Sequence, residues 1–285
     1  MSGNYSQFQQ AFGSPSQLQN NPNYGLFIQD EWRIRRDLTF NIGVRYDIQD
    51  LPDPISTDTD NVALRFGFAY SPDLKTVVRG SFGLYYERVP LRATSNALQR
   101  DGSKYVTAII LPGSADAPIF PYVLPRQPNS LSTRPSVTRI DTNIENGLSH
   151  QANLQIEREL PFDTSVSAGY IYLRGLHLIL SRNINVPTCS DATANLCRPH
   201  PEFGNISRYE GSGNSDYHGL VLSLNRRAGK WGSTRVSYTL SKAIDNVGNF
   251  FFSSPQNNFD LRDDRGLSDN DQRHRLTVSG TIRGP

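Results

Sequence analysis

Leu38-Thr39-Phe40-Asn41-Ile42-Gly43-Val44-Arg45-Tyr46-Asp47-Ile48 alternates apolar and polar side chains without a break. Leu38, Phe40, Ile42, Val44, Tyr46 and Ile48 share one face of an extended chain; Thr39, Asn41, Gly43, Arg45 and Asp47 share the other. Successive side chains of a β-strand point to opposite faces, so this period of two predicts a strand with one greasy and one wet side. Eight more stretches repeat the pattern. The nine strands are expected at about 24–34, 38–48, 62–70, 76–87, 147–159, 164–174, 217–227, 233–243 and 273–283. In 62–70, Val62, Leu64, Phe66, Phe68 and Tyr70 oppose Ala63, Arg65, Gly67 and Ala69. The stretch 164–174 is ambiguous: Tyr170 and Tyr172 share a face, but Ile171 and Leu173 make the other face apolar too.

The gaps alternate between short and long. Arg35-Arg36-Asp37, Ser71-Pro72-Asp73-Leu74-Lys75, Leu160-Pro161-Phe162-Asp163 and Ala228-Gly229-Lys230-Trp231-Gly232 carry the Pro, Gly and Asp of tight hairpins. Between them lie 49–61, 88–146, 175–216 and 244–272, longer than the structureless loops of compact soluble domains. Short turns on one side and long loops on the other are the rhythm of outer-membrane barrels, with short periplasmic turns and long extracellular loops. The expected fold is therefore all-β: an antiparallel transmembrane β-barrel, incomplete, occupying residues 24–285. Residues 1–23, rich in Gln, Asn and Ser, read as the end of another extracellular loop. The chain then enters from outside and ends at a periplasmic turn, Arg283-Gly284-Pro285.

No run approaches the eighteen or so apolar residues of a spanning helix. Lys and Arg number 29 against 27 Asp and Glu, and the resulting net charge of +2 is too small to argue for nucleic acid. Tyr24, Trp32, Tyr46, Tyr70, Tyr86 and Tyr217 stand near predicted strand ends. Aromatic girdles at the two membrane interfaces would put them there, although Tyr and Trp also favour strands in general. A cation facing lipid at mid-depth costs about 2–4 kcal/mol, so lipid-facing charges should avoid strand centres. Arg158, Arg174 and Arg226 fall on apolar faces but close to strand ends. Asp30, between Ile28 and Trp32, sits at an interface or is turned inward by a bulge; both readings stay open. Arg45, Arg65, Arg79, Arg235 and Arg275 take polar faces and, with Glu31 and Glu157, would line a hydrated lumen.

Several segments carry a more specific signal. Tyr24-Gly25-Leu26-Phe27-Ile28-Gln29-Asp30-Glu31-Trp32-Arg33 followed by Leu38 to Asp47 resembles the barrel of TonB-dependent receptors, and most of all the Oar-like group, whose proteins carry a carboxypeptidase-regulatory-like domain. Leu64 to Tyr70, Thr76 to Gly83, Ser237 to Lys242 and Asp271 to Leu276 extend the resemblance from about 24 to 283. It implies a barrel of about 22 strands closed by an N-terminal plug. It also implies an outer-membrane location in a Gram-negative-type bacterium and a TonB box that couples the receptor to the TonB complex of the inner membrane. The expected partners are outer-membrane lipid, the TonB complex and an unknown small or oligomeric ligand, with no nucleic acid and no cofactor. Nine strands cannot close at that diameter, so the chain is expected to be a fragment, with open edges that invite aggregation.

Few residues suggest chemistry. Cys189 and Cys197 lie close together in a predicted extracellular loop, where a disulfide is permitted; a metal site would need two further ligands, and His200 is the one near candidate. Asp260, Asp263, Asp264, Asp269 and Asp271 lack the spacing of a calcium loop. His150, His177, His200, His218 and His274 are scattered, no nucleophile elbow is present, and no catalytic residue is assigned. Phe250-Phe251-Phe252 reads either as a ligand contact or as a loop tip packed inward. The expected function is a non-enzymatic one: part of a TonB-dependent receptor that binds ligand and transports it across the outer membrane. A passive pore or adhesin barrel would show similar strands. A soluble secreted β-sandwich that binds carbohydrate would instead need a dry core between facing sheets.

Overall fold

The structure is a computed structural model that describes residues 5–14, 16–114, 116–119, 121–128, 134–189, 197–229, 232–248 and 252–282. In chain order its elements are β1 (Phe8–Gly13), β2 (Asn23–Arg35), β3 (Leu38–Gln49), β4 (Val62–Asp73), β5 (Thr76–Glu87), α1 (Leu91–Gln99), β6 (Tyr105–Ile110), β7 (Val137–Ile140), β8 (Gly147–Leu160), β9 (Thr164–Asn183), β10 (Ile206–Gly229), β11 (Gly232–Asp245), a 3-10 turn (Leu261–Asp264), β12 (Gly266–Leu267) and β13 (His274–Ile282). One antiparallel meander runs in the order β11-β10-β9-β8-β5-β4-β3-β2, with β13 on the free side of β11. The sheet is not closed: among the described residues β2 and β13 are its two edges. All nine expected strands are present.

The register sorts every side chain onto one of two faces. Ile28 pairs with Val44, Val44 with Leu64, Ile42 with Phe66, and Phe66 with Phe82. Farther along, Leu154 pairs with Tyr170, Tyr170 with Leu220, Leu220 with Leu240, and Val236 with Val278. These apolar residues form one continuous face. It is left uncovered: Ile28 is 75% exposed and Leu276 66% exposed. A soluble sandwich would bury this face against a second sheet. The cluster of buried apolar residues lies elsewhere, above the sheet. An apolar face this extensive without a protein layer over it is the surface a bilayer covers.

The height of the apolar face follows from the chain itself. Arg174 lies ten residues up β9 from Thr164, whose partner Arg226 stands beside the tight turn. Lys242 lies ten residues up β11 from Gly232, and His150 ten residues up β8 from Leu160. Ten residues at about 3.3 Å each, tilted by about 40°, rise about 25 Å, the height of the apolar band of an outer-membrane barrel. The tight turns close the other end. Phe162 and Asp163 both take left-handed φ values, 65° and 52°, as a tight hairpin tip requires. At Gly232 φ is 115° and a Cβ would stand 1.8 Å from the Thr281 carbonyl oxygen, so no other residue fits there. Lys230, Trp231 and Arg283-Gly284-Pro285 lie outside the described residues.

The long connectors are more ordered than the sequence reading expects. β9 and β10 run on past Arg174 and Asp216 as far as Asn183 and back to Ile206. A strand of 20 residues climbs about 50 Å, twice the apolar band, so the upper half of this hairpin stands clear of the membrane. The connector 88–146 holds α1, β6 and β7, and β7 adds in parallel to β10 from Val137↔Ile206 to Ile140↔Tyr209. Residues 1–23 also differ from a plain loop end. β1 pairs with β6 from Phe8↔Ile110 to Gly13↔Tyr105, and Gln19 Nε2 donates to Ser95 Oγ on α1 at 2.8 Å. Leu51, Ile55, Val89, Ala93, Ala97, Ile140, Ile144 and Tyr209 bury one another, with Ile179 and Phe252 packed on them. Each segment supplies only a few apolar residues, so each lacks a core of its own, and their shared core forms only when the connectors meet.

Candidate functional site

The face opposite the apolar band is polar, and two of its arginines, Arg45 and Arg79, are paired with carboxylates. Strand parity places Arg45, Arg65, Arg79, Glu157, Arg235 and Arg275 on it. Arg45 grips Asp47 with two hydrogen bonds of 2.7 Å. The pair lies across Gly25, where a Cβ would stand 2.6 Å from Arg45 Nη2, so the glycine makes room for the clasp. The Arg65 guanidinium stacks 4.5 Å from the centre of the Tyr85 ring. Arg79 meets Glu157 at 3.2 Å, and Arg235 Nε donates to Asn225 Oδ1 at 2.7 Å. Exposed pairs of this kind contribute about 0–1 kcal/mol, so their value lies in the surface they present. Near the outer end, Asn23, Arg45, Asp47, Asn61, Arg65, Tyr85, Glu87 and Asn146 border a cavity of about 170 Å³.

Beside this polar wall the same face carries an apolar patch. Ile171 and Leu173, which make 164–174 ambiguous in sequence, point to this face with Val221 and Tyr217. Tyr217 is thus a correction to the expected girdle. It partners Leu173, and its ring folds over Gly219 on the polar face, opposite Leu220, Leu222 and Leu224. The other five aromatics lie on the apolar face: Tyr24, Tyr46 and Tyr86 at its outer end, Trp32 and Tyr70 close to the tight turns. Asp30 stays on the apolar face as the partner of Ile42. The shift in β2 register falls later, between Arg33 and Arg35, so no bulge turns Asp30 inward, and it lies five residues from the turn. Arg174 stands at the outer border of the band but inside a longer strand, not near a strand end.

The outer cap is built from the connectors that share the buried core. Its electrostatic centre is Glu210, 5% exposed, on the part of β10 that stands above the membrane. Arg182 Nε stands 2.8 Å from Oε1, Arg208 Nε donates to Oε2 at 3.0 Å, and Ser212 Oγ donates to Oε1 at 2.9 Å. Burial pushes the carboxyl pKa up, but the hydrogen bonds from Arg182, Arg208 and Ser212 together outweigh burial and hold it below its ordinary value. In the last connector, side-chain hydrogen bonds from Arg262 hold Asp260 at about 2. Asp264 Oδ1 accepts from the Gln256 amide and Asp271 Oδ1 from the Ala243 amide, so these acids order the loop. Phe252 packs inward, its ring 5.9 Å from that of Tyr209 and 5.0 Å from the Arg92 guanidinium; Phe250 and Phe251 lie outside the described residues. Cys189 and Cys197 are joined in a disulfide with their Cα atoms 5.7 Å apart. The cap residues gave little sign of themselves in sequence, except that Leu176, Leu178 and Leu180 continue the period of two past 174.

The two-faced sheet, its banded height and its one-sided turns match a known family along nearly the whole chain. The outer membrane beta barrel domain family aligns with residues 1–56 and 51–285. This chain belongs to that family. Its place in the outer membrane follows, with lipid on the apolar face. A curated relative, the TonB-dependent transporter Oar of Myxococcus xanthus, is 34% identical over 83 residues, 26% of this chain and 7% of the relative. Over those 83 residues the chain is similar to a TonB-dependent transporter. Among solved structures, the outer-membrane transporter YddB of Escherichia coli superposes on 82% of this chain with a TM-score of 0.58 at 14% identity. The ferric enterobactin receptor PfeA of Pseudomonas aeruginosa, as an R480A mutant in complex with enterobactin, superposes on 78% with a TM-score of 0.51 at 13% identity. The chain spans 26% of YddB and 27% of PfeA. At these identities the superpositions speak for the fold alone, and the fold is that of part of an outer-membrane barrel wall.

Proposed function

We propose that residues 24–285 build part of the wall of a ligand-gated, energy-coupled transporter of the outer membrane, and that residues 1–23 belong to its outer cap. The observation that carries this reading is the cap: the long connectors do not hang free but share a buried core beyond the apolar band. Ordered, packed connectors at the outer end suit selective capture better than the free loops of an open pore do. The connectors 88–146, 175–216 and 244–272 form the capture surface. The luminal Arg45, Arg65, Arg79, Glu157, Arg235 and Arg275, with the patch of Ile171, Leu173 and Tyr217, contact the plug of the whole receptor and guide the ligand past it. The whole receptor engages the TonB complex through its N-terminal region, and this chain supplies no catalytic group.

The test is uptake in cells carrying the gene at its own locus. Mass spectrometry follows depletion of small molecules and short oligomers from the growth medium. An energy-coupled receptor predicts compounds whose depletion needs both this gene and TonB and stops when a protonophore is added. Depletion that needs the gene but survives loss of TonB would make the barrel a passive pore. No gene-dependent depletion, with gene-dependent surface attachment, would make it an adhesin.

A further inference from the structure

We propose that the outer end of the lipid-facing surface across β9, β10 and β11 is a binding site for a phosphate-bearing glycolipid of the outer leaflet, with Arg174, His218 and Lys242 as its polar contacts. The inference rests on the membrane placement and is independent of transport.

Parity and register bring the three residues together. His218 is the direct partner of Tyr172 on one side and Lys242 on the other, in line with Ala152 and Phe82. Arg174 stands one step farther up the same face, two residues beyond Tyr172. All therefore project from the surface that carries Leu220, Leu222 and Leu224, not from the hydrated one. They lie at its outer border: Arg174 and Lys242 are each ten residues above their tight turns, the same rise as Tyr86 above Thr76. A cation on a lipid-facing surface at that height meets head groups, not acyl chains.

The charges are uncommitted. Arg174 and Lys242 are exposed, and neither makes a hydrogen bond or ion pair with any described residue. The nearest carboxylate on this face, Asp216, is the register partner of Arg174 but is held by Arg265 at 2.8 Å. At the opposite end of the face Arg158 is satisfied within the chain, by Thr76 Oγ1 at 3.0 Å and Asp73 at 3.7 Å. His218 Nδ1 is hydrogen-bonded to the Tyr170 hydroxyl at 2.6 Å, which fixes the ring and leaves Nε2 for a ligand. Arg174 and Lys242 stand two strand spacings apart and two residues offset along the strands, about 12 Å between their Cα positions. That width suits a head group bearing more than one phosphate, each taken by a charge-assisted hydrogen bond.

The surface below offers a place for the acyl chains. Ala168 is small among larger neighbours, and Ile156, Val166, Leu222, Leu224 and Val236, with Tyr238 and the Arg158 side chain, border a groove of about 460 Å³ around it. Ala168 lies four residues down β9 from Tyr172, about 13 Å along the strand. A lipid whose phosphates rest on Arg174 and Lys242 would lay a chain into that groove.

The test uses the full chain folded into phosphatidylcholine nanodiscs, with bisphosphorylated lipid A and its dephosphorylated counterpart as probes, and retention read by native mass spectrometry. The expected result is about tenfold tighter retention of the phosphorylated probe, the size of one strong charge-assisted contact. R174Q/K242Q should bring the ratio close to one, R174K/K242R should keep it, and R226Q at the far end should leave it unchanged. Equal retention of both probes by the natural chain overturns the proposal. So does a ratio that survives in R174Q/K242Q or falls equally in R226Q. Should R174Q/K242Q fail to fold, loss of the ratio in the natural chain at 0.5 M salt decides the same question, because a phosphate clasp weakens under screening and acyl packing does not.

Discussion

Leu222 and Ser223 are neighbours on β10 whose side chains leave opposite faces of the sheet, and replacing each with arginine separates the two environments. Leu222 partners Ala168 and Tyr238 on the apolar face. Tyr238 is six residues up β11 from Gly232, so the pair stands about 15 Å above the turn in a band about 25 Å tall, near mid-depth. An arginine there costs about 2–4 kcal/mol, a loss of about 30- to 900-fold in the folding equilibrium. Ser223 faces its partner Ser237 on the polar side at 3.2 Å. Ser223→Arg gives up one hydrogen bond in a hydrated setting, about 1 kcal/mol. Urea titration of each variant in phosphatidylcholine vesicles, followed by tryptophan fluorescence, measures both costs. The Leu222→Arg midpoint should fall well below that of Ser223→Arg. If Ser223→Arg costs as much as Leu222→Arg, the assignment of lipid to the even-numbered face of β10 is wrong.

The native cysteines are paired with each other, so a cysteine placed at Ile42 or Val44 should react with a lipid-soluble maleimide and resist a charged one. The reverse should hold at Thr39 or Asn41, and equal reaction of both faces with the charged reagent would remove the bilayer from the argument. Because the Glu210 carboxyl is held below its ordinary pKa, its contribution to the cap is complete above the usual carboxylate range and is lost as pH falls through the lowered folded value. Amide hydrogen exchange over 176–183 and 206–212 should accelerate at the acid end. Glu210→Gln leaves Arg182 and Arg208 without their counter-charge, should weaken the cap by about 3 kcal/mol, and should flatten this acid response. An unchanged acid response in that variant would assign it to other groups. Gly232→Ala must place a methyl group against the Thr281 carbonyl at a left-handed φ, so it should lower the yield of folded protein by a cost of about 1–3 kcal/mol or more, whereas Gly266→Ala, with open space around it, should not.

The two faces were legible residue by residue because a strand writes its environment into a local period. Where the period blurred, tertiary contacts were the reason. Ile171 and Leu173 break the alternation of β9 because the polar face holds an apolar patch with Tyr217 and Val221, which no local pattern announces. Tyr217 was assigned to the girdle from its nearness to a strand end, and register, not nearness, decides its face. The Leu176, Leu178 and Leu180 alternation was available in the sequence. It was obscured by Gly211 and Gly213 on the opposing strand, where the β9–β10 register shifts.

The amino-acid sequence alone determined the strands, the side of each hairpin that turns tightly, and the face of most strand residues that meets lipid. Each of these depends on neighbours within a few positions and on the two-residue repeat of the extended chain. Only the tertiary structure decided that the connectors share a core, that β9 and β10 outrun the membrane, and that Arg174, His218 and Lys242 stand together at its outer border. Those features depend on inter-strand register and on apolar residues drawn from segments far apart in the chain, so they come into being only when the strands align.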